Sequence, residues 1–255
     1  MKRLTSHITI TLACVLLVCG TLLKADVPPP EYSDYKQLLN TYVAGEKVNY
    51  KAWADNKEDV AALKAFVKKL GQTDINSLSR TDQKALYINL YNAAILQIVL
   101  DEYPIDSVKT IGLLPFSIFK KDLVKLEDRT VSLDDIEKNI LLKSYFDPRI
   151  HFAVNCASES CPPLRAEPFT GDRLEEQLDE QTNRFARSNR AARVNDDKKS
   201  IAYSELFNWY ASDFGDQNPA KYLNQYRSET LPLNYTVEWI PYDWALNDLQ
   251  KEEGH

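Results

Sequence analysis

The sequence predicts a single helix-rich α+β domain, with a central buried helix packed on a small, mostly antiparallel sheet. Three observations lead there. Residues 86–100 are apolar nearly all round, a pattern suited to a helix buried on every side. Short apolar runs flank charged turns at 127–129 and 195–199, as in hairpins. Only 7 glycines occur in 255 residues, too few for a barrel or sandwich built from many tight turns.

In chain order, residues 1–25 have the pattern of a secretory signal peptide: the basic start Met1-Lys2-Arg3, an apolar run, and no further charge until Lys24. A spanning anchor needs about 20 predominantly apolar residues. Here Leu4 to Leu23 is interrupted by Thr5, Ser6, His7, Thr9, Thr11, Gly20 and Thr21. Val18 before Cys19 departs from a lipoprotein signal, which leaves a lipid-anchored form as the alternative. The expectation is an exported protein, periplasmic or extracellular. Residues 26–34, with Pro28-Pro29-Pro30, form a stiff linker, 35–248 a single domain, and 249–255 a charged tail.

Within the domain, Ser79-Arg80-Thr81-Asp82 caps the central helix, which Pro104 stops. Asn89 and Asn92 share a face of it and, once buried, need partners. A hairpin turns at Glu127-Asp128-Arg129. Ser132 with Asp135 then opens a helix carrying Glu137. Arg149 to Asn155 alternates like a strand, placing His151, Ala153 and Asn155 on one face and Ile150, Phe152 and Val154 on the other. Beyond it come a helix capped by Asp172 and Glu175, a charged hairpin at 195–199, a short helix from Ser204, and an extended segment from Trp239 to Trp244.

With 31 basic and 37 acidic side chains the net charge is −6, and no basic segment is present to track phosphates, so nucleic-acid partners are excluded. The expected partner is a small molecule or peptide, with membrane contact only through the leader or a lipid. Cleavage of the leader would remove Cys14, Cys19 and His7. The remaining thiols, Cys156 and Cys161, and the internal His151 lie together in one segment.

Four stretches carry a family resemblance: INLYNAAIL at 88–96, DPRIHFAVNCASESCPPL at 147–164, ELFNWYASDFG at 205–215 and YDWALN at 242–247. Together they resemble the bacterial domain-of-unknown-function 547 family over roughly Tyr35 to Asn247. The resemblance implies an exported α+β domain and brings no activity with it. Members often carry His after the Glu of an IEH-type motif, whereas Lys138 follows Glu137 here.

Two functions compete for this segment. In the first, Cys156 is a nucleophile or redox thiol, His151 its base, and Asn155, Glu137, Asn89 and Asn92 are orienting or oxyanion groups. Arg149, Ser158, Ser160 and Tyr91 are the candidate substrate contacts for acyl-transfer, hydrolytic or redox chemistry. Papain-like and transglutaminase-like enzymes also pack a helix on strands bearing a histidine, but they set cysteine at the helix start, so the likeness is analogy alone. In the second, Cys156 and Cys161 form a disulfide that shapes the loop of a non-catalytic binding or scaffold module. The spacing H-x4-C-x4-C is a poor match to zinc sites, and no metal or cofactor is expected. Trp209, Tyr210, Phe214, Tyr242 and Trp244 read as core or as a groove wall.

Overall fold

Ser79 accepts a hydrogen bond from the Asp82 amide and starts the longest helix, Arg80–Glu102. The computed structural model describes residues 28–215 and 218–252; the expected leader lies outside them, as does the end of the charged tail. Along this central helix every residue from Ala85 to Leu96 is buried, as its all-round apolar pattern predicts.

In chain order the helices are α1 (Ser33–Tyr42), α2 (Tyr50–Asp55), α3 (Lys57–Gly71), α4 (the central helix), α5 (Ser117–Lys120), α6 (Ile150–Ala153), α7 (Leu174–Ala186), α8 (Leu206–Trp209) and α9 (Pro219–Leu223). Helix α1 begins inside the stretch assigned to the linker. The strands are β1 (Val43–Ala44), β2 (Lys47–Val48), β3 (Val124–Leu126), β4 (Arg129–Val131), β5 (Ala192–Asn195), β6 (Ser200–Ser204) and β7 (Thr236–Ile240). The first three pairs, β1–β2, β3–β4 and β5–β6, are antiparallel, while β7 joins β6 in parallel. That parallel return requires a crossover, supplied by α8, α9 and their connections.

The α+β class and the buried central helix stand. Helix α4 packs against α3, α2 and a π-helix at Asp135–Leu142, and shares its core with the β3–β4 hairpin. The three-stranded sheet belongs to a second cluster around Phe152, Phe185, Phe207 and Phe214.

Both predicted hairpins form, and the Ser132–Asp135 box closes reciprocally: Asp135 N–H donates to Ser132 Oγ at 3.0 Å and Ser132 N–H to Asp135 Oδ2 at 3.1 Å. Two expectations are corrected. Helix α7 starts at Leu174 after Arg173 with no side-chain cap; Glu175 is turned to Arg149 instead of to the helix end. The larger correction is the expected strand 149–155, whose centre is helix α6. Asp147 accepts from the Arg149 amide at 3.0 Å and Pro148 supplies a fixed φ, so Asp-Pro acts as a helix start. The helix lies between the two cores: Ile150, Ala153 and Val154 enter the first and Phe152 the second, so the three residues that strand alternation would set on one face are split between two cores.

Candidate functional site

A cavity of about 330 Å³ opens beside α6, lined among others by Tyr91, Glu137, His151, Cys156, Cys161, Tyr210 and Tyr242. Each comes from a different local cause. Tyr91 projects from the central helix, and Glu137 from the π-helix, a rare geometry that turns this carboxylate inward to 9% exposure. His151 follows from the Asp-Pro helix start. The cysteine loop bends at Ala157, whose φ of 62° lies in the left-handed region.

That loop is fixed by its own polar groups. Asn155 Nδ2 donates to the Pro162 carbonyl at 2.8 Å and its Oδ1 accepts from the Ala157 amide at 2.8 Å. The Sγ atoms of Cys156 and Cys161 stand 3.0 Å apart, and the expected disulfide is not formed. Cys161 Sγ also accepts the Cys156 N–H at 3.0 Å. Ser158 Oγ lies 3.0 Å and Tyr242 Oη 3.3 Å from Cys156 Sγ. Hydrogen bonding from Cys161 is the largest influence on Cys156; burial opposes it, and Ser158 and Tyr242 add to it, bringing the thiol down to about 7. Burial and the neighbouring Cys156 push Cys161 the other way. The pair is therefore one thiolate-prone sulfur beside one held as thiol.

His151 is buried, its Nε2 2.8 Å from Asp213 Oδ2 and its ring 4.1 Å from that of Tyr210. A carboxylate only accepts, so Nε2 carries the proton. Burial lowers the imidazole below its ordinary value, against the pull of Asp213 and Glu137, which makes the neutral ring the resident form. No hydrogen bond joins His151 to Cys156 among the described residues. Both line one cavity, but the imidazole is engaged with Asp213.

The amides expected as oxyanion donors are committed to backbone. Asn89 Nδ2 donates to the Phe169 carbonyl at 2.7 Å and its Oδ1 accepts from the Phe169 amide at 2.9 Å. Asn92 does the same with the Ala153 carbonyl and the Asn155 amide, both at 2.9 Å. They tie the central helix to 169 and to the α6–cysteine loop. Arg149 is saturated by Asp147, Asp179 and Glu175 and does not line the cavity. Ser160 Oγ accepts the Asp243 amide at 2.8 Å, a loop-fixing bond. Sequence reasoning missed Asp213 and the roles of Tyr210 and Tyr242, although all three lie in stretches that carry the resemblance.

Residues 75–186 match the family described as Protein of unknown function, DUF547. The matched segment contains the central helix, Glu137, His151 and both thiols, whereas Asp213, Tyr210 and Tyr242 lie beyond it. No curated protein and no solved structure matches the chain. Among the described residues, no group of three or more His, Cys, Asp or Glu is placed to hold a metal ion, and no helix is long and apolar enough to cross a membrane.

Proposed function

We propose that the chain is an exported thiol–disulfide exchange protein acting on a small molecule or peptide, with Cys156 as attacking and Cys161 as resolving thiol. The observation that carries this reading is the 3.0 Å approach of the two sulfurs at the wall of an open cavity. A disulfide bond is about 2.05 Å long, so closure needs a shift of about 1 Å. Acyl transfer is less well supported, because a cysteine nucleophile of that kind draws on an imidazole within hydrogen-bond reach, and among the described residues Cys156 Sγ bonds to Ser158, Cys161 and Tyr242 but not to His151.

The exchange balances as follows. The Cys156 thiolate attacks one sulfur of a substrate disulfide, the substrate S–S bond breaks, and the departing thiolate takes up a proton. Cys161 gives up its proton and attacks Cys156 Sγ, breaking the mixed disulfide and releasing the second substrate thiol. The chain loses two electrons as a disulfide; the substrate gains them as two thiols.

Incubating reduced protein with hydroxyethyl disulfide tests this. Expected are a Cys156–Cys161 bridge by peptide mapping, arrest at a mixed disulfide on Cys156 in Cys161→Ser, and no reaction in Cys156→Ser. Unreacted thiols in the wild type, or a Cys156→Ser variant as reactive as the wild type, would overturn it and leave the cavity a non-catalytic binding role.

A further inference from the structure

The charge of the cavity points to its ligand. Glu137 is buried and makes no ion pair among the described residues; Tyr210 Oη donates to its Oε1 at 2.9 Å. The other lining carboxylate, Asp134, is matched by Lys138 at 2.9 Å, and Lys120 is solvent-exposed. A buried carboxylate without a cation is costly unless something compensates it. The same cavity is lined by Tyr91, Phe116, Phe119, Trp209, Tyr242 and Trp244. Trp209, Tyr242 and Trp244 form a connected cluster, with ring centroids 4.9 Å apart for Trp209–Tyr242 and 4.5 Å for Tyr242–Trp244. Aromatic faces attract cations, and the fold already seats one: Lys109 Nζ lies 5.6 Å from the Phe116 centroid.

We propose that the cavity binds a small organic ammonium, held by the aromatic faces with Glu137 as its counter-ion. Its volume of about 330 Å³ suits a small molecule. The inference rests on the thiol-exchange reading only in making the natural substrate an ammonium-bearing disulfide; recognition of the cation stands apart from sulfur chemistry.

The test compares choline with its uncharged isostere 3,3-dimethylbutanol and with propanesulfonate, by calorimetry on the reduced wild-type protein. Choline should bind at least about tenfold more tightly than the isostere and propanesulfonate should bind least. Glu137→Gln, which keeps side-chain volume, should bring choline down to the isostere. An isostere that binds as well as choline overturns the proposal in the wild type, whether or not the variant folds.

A second arm measures reduction of cystamine, hydroxyethyl disulfide and dithiodipropionate by reduced protein, each rate divided by that of 2-mercaptoethanol with the same disulfide to remove differences in leaving-group pKa. Cystamine should react fastest, and Glu137→Gln should bring its rate down to that of the neutral disulfide. If choline binds and none of the disulfides reacts, cation recognition survives and the exchange reading fails. If all three react alike and choline does not bind, exchange survives and the cation proposal fails.

Discussion

The Cys156 amide donates to Cys161 Sγ at 3.0 Å while the two sulfurs are themselves 3.0 Å apart, so backbone and side chain of one residue converge on the other's sulfur. This geometry keeps the sulfur of Cys161 facing that of Cys156 without a covalent bond between them.

Thiolate reactivity should follow pH with a midpoint at about 7. The thiolate is the nucleophile, so alkylation of Cys156 by iodoacetamide slows as pH falls below the midpoint and levels off above it. Tyr242→Phe and Ser158→Ala each remove a hydrogen-bonding group from Cys156 and should raise the midpoint by about one pH unit. Alkylation rates from pH 5 to 9, with a melting curve for each variant, check this.

Asn89→Ala should cost about 3 kcal/mol, because it leaves both the carbonyl and the amide of Phe169 without their partner in a buried setting. Alkylation of Cys156 should be unchanged. Urea unfolding and alkylation measured side by side test both halves; slower alkylation at unchanged stability would return Asn89 to a chemical role.

Asp147 anchors Arg149 at 2.8 Å and Lys84 at 3.0 Å in a buried cluster. Burial alone would raise its carboxyl, but the hydrogen bonds of Arg149 and Lys84 outweigh it and hold the group below the usual range. A depressed carboxyl contributes fully above the unfolded value of about 3.9 and loses that contribution as pH falls through the folded one. Asp147→Asn should therefore cost about 3 kcal/mol at pH 7 and flatten the decline in stability below about pH 4. Denaturant midpoints at neutral and acidic pH measure it.

His151 should stay neutral in the folded chain below 6.5, the ordinary value. As pH falls through that value the unfolded chain takes up the proton first, so this residue destabilises the fold on acidification. Asp213→Asn removes the carboxylate that opposes the shift and should move the imidazole lower still. The ring resonances of His151 followed by NMR decide it.

The central helix was legible because an apolar run that long has one physical explanation, and both hairpins because charged turns interrupt apolar runs. Helix α6 was not: its four residues make about one helical turn, too short for a 3.6-residue period to show, and Ile150, Phe152 and Val154 fit a two-residue period although they enter two different cores. In the site, His151, Cys156, Cys161, Glu137 and Tyr91 could be picked out by type and proximity in sequence or by their place on a helix. Asp213 meets His151 across 62 residues, Tyr210 meets Glu137 across 73, and Tyr242 meets Cys156 across 86. Local periodicity carries no record of contacts that distant.

The C-terminal stretch touches three remote parts of the chain in quick succession: Ala245 bridges Ser107, Leu246 bridges Ser158 and Asp248 bridges Val48. The walls that Tyr242 and Trp244 give the cavity are therefore installed by residues translated long after the cysteines they cover. A chain that stops before Tyr242 keeps both cysteines and His151 yet lacks the hydroxyl beside Cys156 Sγ and two aromatic walls of the cavity.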